Sequence, residues 1–399
     1  MKPIHILQIF NRYLEYGGEE KIVFTVPQLF NDKAHVIETC LFESSSWKGT
    51  SAPPIWRQPF LMLRNPSALE QLRQYHLRFK PDVWLVHNIF PVGSAAVYQL
   101  ALELKVPVIH YCHNYRPFSV SGTLWDGIRI EPAGLHRNFW PEIRRGSWQK
   151  SRLKSFCMAY TLKKLHTNGW LKSVKTWIAI SDFVRERFIE AGIPAEQIFT
   201  LRHSWPSQKP SIQSDPQQNH FLFLGRLNSY KGIQPLLDCW HIIYKKLGQY
   251  GPQLMVGGEG PMSIDVQKAA KNNPLISQLG MVSGDYKTQL LHNCLALIVP
   301  ALWWEPLGLV TYEAYHFSKP VLAARSGGIT ETVIDNQTGL LHQPGNASEL
   351  ADHVIKLYKN PDLATQMGRA GNLWLEENAN EKKWLAGFHK IIQHTIGMH

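Results

Sequence analysis

Glu305 and Glu313 are the residues that most invite a chemical reading, in the run Leu302-Trp303-Trp304-Glu305-Pro306-Leu307-Gly308-Leu309-Val310-Thr311-Tyr312-Glu313. Pro306 suits the first turn of a helix, so the pattern predicts a helix that starts just after Glu305 and carries Glu313 two turns on. If all of it were helical the rise between the two would be about 12 Å. A hydrolase carboxylate pair wants roughly 5 to 9.5 Å, so acid-base hydrolysis is excluded as their joint task. The spacing fits two ends of one long polar ligand. Glu305 would receive sugar hydroxyls, Glu313 ribose hydroxyls, and the helix amides near Gly308 and Leu309 would face phosphates between them.

Other residues complete such a site. Leu224-Gly225-Arg226-Leu227-Asn228-Ser229-Tyr230-Lys231-Gly232 places Arg226 at a strand end and Lys231 at a helix start, two cations suited to a diphosphate. Val256-Gly257-Gly258-Glu259-Gly260-Pro261 is a second glycine-rich turn of the same kind, expected to put Gly258 and Glu259 in the nucleotide wall. Near the N-terminus, Gly17 and Gly18 open a helix after the first apolar run, a place where backbone approaches a phosphate closely. A further apolar run, Val106 to Cys112, delivers His113 to a strand end, where it is a candidate for binding the transferred sugar or stabilising charge at the reacting carbon. No D-x-D triplet occurs, so a metal-held diphosphate lacks its usual ligands. Leaving-group charge is expected to fall to Arg226, Lys231 and helix amides, with no metal and no cofactor.

The elements that must hold these residues alternate. Ile4 to Phe10, Val83 to His87, Val106 to Cys112 and Trp177 to Ile180 read as short strands, separated by helical patterns at Glu19 to Phe30, Gly93 to Leu104 and Asp182 to Ala191. Such alternation implies parallel strands with crossover helices. After a Pro-, Ser- and Gln-rich stretch the rhythm restarts at Phe221 and runs through strands near Gln253, Ile276, Ala296, Pro320 and Gly339. The expected organisation is a first domain over 1–203, a linker over 204–219, a second domain over 220–380, and a C-terminal helix over 381–399 that crosses back to the first domain. Two doubly wound α/β domains facing a central cleft would present strand-end loops to a shared ligand.

A chain of 399 residues exceeds what one core usually serves, in keeping with two domains. The five cysteines, Cys40, Cys112, Cys157, Cys239 and Cys294, are odd in number and scattered, which excludes a disulfide framework and points to the cytoplasm. No apolar run is long enough to span a bilayer and the N-terminus lacks the pattern of a signal peptide. The net charge of +11 points to anionic partners. Much of it lies in 137–175, where Arg144, Arg145, Lys150, Arg152, Lys154, Lys163, Lys164 and Lys172 face the lone acid Glu142 and alternate with Trp148, Leu153, Phe156, Tyr160 and Leu162. The segment reads as a basic amphipathic helix for an anionic membrane surface, with a helix packed on its own domain as the alternative.

Taken together the motifs resemble glycosyltransferase family 4, retaining enzymes of the GT-B fold. The likeness rests on Gly17 to Glu20, the Gly-Arg-x4-Lys of Gly225 to Lys231, the Glu-x7-Glu of Glu305 to Glu313, and Ser326-Gly327-Gly328-Ile329-Thr330-Glu331, all in family order. His87-Asn88-Ile89-Phe90-Pro91 and His113-Asn114-Tyr115-Arg116 further resemble bacterial members that build surface polysaccharides. The resemblance implies a nucleotide-sugar donor, UDP- or GDP-linked, and a glycan or lipid-linked acceptor in polysaccharide or cell-envelope synthesis. It also implies retention of configuration, no metal, a donor-binding domain over 220–380 and an acceptor-binding domain over 1–203; the cysteine usage and the basic segment add the expectation of a cytoplasmic enzyme, peripheral at the inner face of the membrane. By the same likeness Arg226 and Lys231 hold the diphosphate, Glu305 the sugar and Glu313 the ribose. His113 contacts the sugar near the reaction centre, and Gly17 and Gly18 close on the phosphates. The chain departs from the family at Phe118-Ser119-Val120-Ser121, where relatives often carry cysteines, and at Phe317-Ser318, where a Cys-Gly pair is common. A sugar-nucleotide epimerase and a non-catalytic sugar-nucleotide binder are the rival readings; a nucleic-acid binder is not expected.

Overall fold

The computed structural model describes residues 3–14, 17–30, 35–50, 52–206 and 220–397. Most of the expected linker, 207–219, lies outside the described residues. The chain divides into two compact units, the first formed by 1–126, 131–203 and 381–399, the second by 127–130 and 204–380.

In the first unit six strands form one sheet: β1 (Ile4–Arg12), β2 (His35–Glu43), β3 (Val83–Val86), β4 (Val108–Cys112), β5 (Val174–Ala179) and β6 (Ile198–Thr200). Their order is β2-β1-β3-β4-β5-β6, and every pairing is parallel. Strands β3 and β4 are buried at every position, as strands covered on both faces must be, and so they read as unbroken apolar runs. Edge strand β2 is different. Its sequence His-Val-Ile-Glu-Thr-Cys-Leu-Phe-Glu mixes polar residues into a half-exposed strand, which is why the apolar-run criterion passes over it.

The second sheet contains β7 (His220–Leu224), β8 (Gln253–Gly257), β9 (Ile276–Gly280), β10 (Cys294–Val299), β11 (Val321–Ala324) and β12 (Gly339–His342), in the order β12-β11-β10-β7-β8-β9. It too is parallel throughout. Its core joins Phe221, Trp240, Leu254, Ile298 and Leu322, all essentially inaccessible. Each sheet reverses its direction of growth once, beside β1 and β3 in the first unit and beside β7 and β10 in the second. Ligands of open parallel sheets bind at such reversals, outside the carboxyl ends of the strands.

Three expectations need correction. The segment after Glu305 is not helical at Pro306; the helix begins at Leu309 and runs to His316. Gly308, at φ +77°, turns the chain into it, a left-handed conformation that only glycine adopts without cost. The rise of a continuous helix therefore does not measure the separation of Glu305 and Glu313. Second, 137–175 is not one helix but mainly two, Trp140–Arg145 and Arg152–Thr167. The first ends at left-handed Gly146, and Ser151 caps the second by accepting from the Lys154 amide at 3.3 Å. Third, the helix expected over 93–104 is only Val97–Glu103, because Ser94 takes a positive φ. Among the described residues no helix is long and apolar enough to cross a membrane.

Candidate functional site

At the second unit's reversal the loop after β7 and the loop after β10 are fastened together. The Leu302 amide donates to the Tyr230 carbonyl at 2.8 Å, and the Tyr230 and Trp303 rings meet edge to face at 5.4 Å. Lys231 ends the short turn Ser229–Lys231 and reaches across to Glu305, Nζ to Oε2 2.6 Å. The same carboxylate oxygen accepts from Trp303 Nε1 at 3.0 Å, while Lys231 Nζ also lies 5.1 Å from the Trp303 ring centre. No described residue donates to Glu305 Oε1. Behind it, the Gly328 amide donates to the Glu305 carbonyl at 2.8 Å and Ser326 Oγ to the Trp303 carbonyl. The Ser326-Gly327-Gly328 turn thus holds the acidic segment in place.

The β8 turn supports the same loop from the other side. Gly225 and Leu227 amides donate to the Gly257 and Glu259 carbonyls at 3.1 and 2.9 Å, and the Met262 amide donates back to the Leu227 carbonyl at 2.9 Å. At Gly258 a Cβ would lie 1.9 Å from the Gly225 carbonyl oxygen, so only glycine lets the two turns touch. Arg226 and Glu259 are exposed on these turns. Gly308 and Leu309 open the helix that carries Glu313, whose Oε2 is 2.6 Å from Lys287 Nζ on the helix Gly284–Asn293. Lys231 and Glu305 are therefore brought into direct contact. Glu313 pairs instead with Lys287, a residue that sequence motifs did not single out because nothing in its own neighbourhood marks it.

The histidine cluster at the first unit's reversal is built of neutral groups. His113 follows β4, and its Nε2 lies 2.7 Å from His87 Nδ1, at the end of β3. His87 Nε2 lies 3.1 Å from Gln8 Oε1 on β1. The His113 ring lies in line with that of His87, centroids 5.0 Å apart, stacks on that of His203 at 5.2 Å and tilts against Tyr111 at 4.4 Å. Burial, then the neighbouring rings of His87, His203 and His110, holds the His113 pKa well below the usual histidine range. His87, His110 and His203 are likewise pushed down by burial, the last two to about 3. Among the described residues no three His, Cys, Asp or Glu side chains form a group that could hold a metal ion.

Gly17, extended at φ −147°, precedes the helix Gly18–Leu29, whose second residue, Glu19, is tied to the histidine loop. Glu19 accepts from Tyr13 OH at 2.7 Å, from the Asn88 amide at 3.0 Å and from Asn114 Nδ2 at 3.3 Å. Burial raises its pKa to about 7 against those donors. With His87, Asn88, His113, Asn114 and Arg116 it lines a cavity of 20 Å³, room for about one water. Glu142, the lone acid of the basic segment, is buried and gathers Val120 N at 2.9 Å, Ser121 N at 2.8 Å and Ser119 Oγ at 2.9 Å. It shapes the loop in which the chain departs from the family pattern. His87, Glu19 and Glu142 fall in segments that the sequence marks, yet none was given a site role there, because the signal of that role is a partner distant in the chain.

Two doubly wound parallel sheets with polar and charged side chains gathered at their reversals are the architecture of the GT-B fold. In fold the chain matches HepE of Anabaena in complex with UDP, with a TM-score of 0.69, 16% identity and coverage of 98% of this chain and 100% of that one. It matches sucrose-phosphate synthase of Thermosynechococcus elongatus with a TM-score of 0.70 at 16% identity, over 99% and 100% of the two chains. The sequence models described as Glycosyltransferase Family 4 and Glycosyl transferases group 1 match residues 46–203 and 206–374. A D-inositol 3-phosphate glycosyltransferase of Pseudarthrobacter chlorophenolicus is 27% identical over 85% of this chain and 78% of its own. An uncharacterized glycosyltransferase of Methanocaldococcus jannaschii is 30% identical over 46% of this chain, and the match spans about half of that relative, 51%. The chain belongs to glycosyltransferase family 4.

Proposed function

We propose that this protein transfers a hexose from a nucleotide sugar, UDP- or GDP-linked, to a glycan or lipid-linked acceptor, with retention of configuration and without a metal. The observation that carries the reading is the Lys231–Glu305–Trp303 cluster at a sheet reversal, where one Glu305 oxygen is taken by protein donors and the other is left to receive a sugar hydroxyl. Solved relatives of the same fold bind UDP and UDP-glucose, which favours a uridine nucleotide. In this reading Arg226 and Lys231 neutralise the diphosphate, the amides at Gly308 and Leu309 add partial positive charge, and Glu313 receives the ribose. Gly258 and Glu259 form wall. The family likeness assigns Gly17 and Gly18 to the phosphates and His113 to the transferred sugar. The C1–O bond to phosphate breaks as the bond from C1 to the acceptor oxygen forms on the same face; the acceptor's proton ends on the departing nucleoside diphosphate.

Isothermal titration with UDP, GDP and their glucose and mannose conjugates, followed by NMR of the anomeric product, tests the reading. Binding of one nucleotide class and an anomer matching the donor support it. An inverted product, or donor breakdown that EDTA abolishes, overturns the mechanism.

The acceptor chemistry favours a site of action at the inner face of the cell membrane, in building surface or envelope polysaccharide. The first unit offers a docking face: Leu153, Phe156 and Tyr160 stand exposed among basic residues on the helix Arg152–Thr167, and the helix Gln58–Leu63, with Phe60 exposed, packs against it. Sedimentation with phosphatidylglycerol vesicles should carry the protein down, and the double change Phe60→Ser, Phe156→Ser should release it. Equal sedimentation of the two would remove this face from the proposal.

A further inference from the structure

The first unit contains a directional chain of hydrogen bonds that ends on His113. Gln8, inaccessible on β1, donates Nε2 to the Val23 carbonyl at 2.9 Å and to Thr39 Oγ1 at 3.2 Å. A carbonyl accepts and cannot donate, so the Gln8 amide nitrogen must face Val23 and its Oε1 must face His87. That oxygen needs a donor, which makes His87 Nε2 the protonated nitrogen of its ring, 3.1 Å away. A neutral imidazole protonated at Nε2 has a bare Nδ1. His87 Nδ1 is therefore an acceptor, and at 2.7 Å its only described partner is His113 Nε2, which must carry the hydrogen. His113 is left with a bare Nδ1, to which no described residue donates.

The opposite arrangement fails on the same geometry. With the proton on His113 Nδ1, His87 would have to turn its own proton toward His113 and place a bare Nε2 against Gln8 Oε1, two acceptors 3.1 Å apart. Protonating both His87 nitrogens would escape the conflict, but His87 is fully buried beside His110 and His203, which drives it toward the uncharged form. The hydrogen bond to His87 and packing against His203 and Tyr111 hold the His113 ring against turning over to exchange its nitrogens.

We propose that Gln8 and His87 are positioning residues that lock His113 as the Nε2–H tautomer, so that it meets the transferred sugar as a hydrogen-bond acceptor through Nδ1. A sugar hydroxyl can donate to that nitrogen, whereas an unprotonated phosphate oxygen cannot. His113 thereby selects a hydroxyl-bearing part of the donor and is spared from gripping the diphosphate. The consequence for specificity follows from the proposed role of His113 at the sugar and rests on it; the tautomer itself does not.

Long-range ¹H–¹⁵N correlation NMR on histidine-labelled protein reads the tautomer directly, with the His113 signals assigned through His113→Asn. The wild-type protein should show His113 with hydrogen on Nε2 and an unprotonated Nδ1; hydrogen on Nδ1, or a doubly protonated ring at neutral pH, overturns the proposal. Two substitutions at His87 separate direction from packing. In His87→Gln the amide can still donate to Gln8 and accept from His113, so the tautomer should persist and kcat should stay within about threefold of wild type. His87→Leu breaks the chain, and should give a mixed tautomer with kcat down about tenfold and donor KM changed much less. Equal loss in both variants with an unchanged tautomer means a structural role only, and rejects the lock. If the tautomer is as stated but His113→Ala transfers sugar at the wild-type rate, the lock stands and the assignment of His113 to the sugar fails.

Discussion

Both units place their polar side chains at the point where a parallel sheet reverses, yet they do so with opposite chemistry. The second unit uses full charges in pairs, Lys231 with Glu305 and Lys287 with Glu313, on loops tied by glycine turns. The first uses uncharged rings wired through Gln8 and packed so tightly that charging any of them is unfavourable. Breaking a half-buried ion pair strands a charge, so each member of the pair constrains the other until a charged ligand joins them. A neutral imidazole carries no such penalty; what it contributes is direction, since one nitrogen donates and the other accepts. In the proposed reading, the charged set grips an anion and the neutral set reads a hydroxyl.

The largest effect should come from the charged end. Glu305→Ala should lower kcat/KM for transfer about a hundredfold, because it removes the carboxylate proposed to receive a sugar hydroxyl and leaves Lys231 without its partner; Lys231→Ala should cost about tenfold to a hundredfold. The double variant should lose much less than the product of the single losses, as residues in contact do. Steady-state kinetics on the four proteins checks this, and simple multiplication of the losses would show that the two act separately.

Next in size is the scaffold beneath them. Gly258→Ala drives a methyl to within 1.9 Å of the Gly225 carbonyl and forces the two turns apart, a change expected to cost about 2 kcal/mol or more of stability. Calorimetry should show a lowered Tm together with weakened nucleotide binding. An unchanged Tm would mean that the turns separate freely.

A third effect, one of pH dependence, belongs to the first unit. Glu19 titrates near 7 in the folded chain, above its ordinary 4.5. The folded form thus binds a proton that the unfolded form has released between these values, and stability from this group is fully present below pH 4.5 and lost as pH rises through 7. The buried histidines slope the other way, gaining stability with rising pH up to the histidine range, so the Glu19 contribution shows only as a difference. Glu19→Gln should gain on wild type by at most about 3 kcal/mol between pH 5 and pH 8. Denaturant melts at the two values measure it, and a constant difference would place the Glu19 pKa near its unperturbed value.

Much of this protein is legible along the chain. Central strands such as β3 and β10 announce themselves because a strand covered on both faces must be apolar throughout. The glycine turns and the Glu305–Glu313 run are equally legible as local patterns, although what the Gly258 backbone approaches is the Gly225 turn, distant in the chain. Edge strand β2 was silent because exposure dilutes its pattern, and Gly308, through its left-handed turn, moved the helix start past Pro306.

What sequence alone determined is the residue types and the order of their loops: Arg226, Lys231, Glu305 and Glu313 as a charged set, His113 at a strand end. Only the tertiary structure decided their partners. Lys231 meets Glu305 because β7 and β10 are neighbours across a reversal, though 74 residues separate them. Gln8 reaches His87, 79 positions away, because β1 and β3 pair. Hydrogen bonds and ion pairs act over a few ångströms, and strand order, not chain distance, determines which groups come that close.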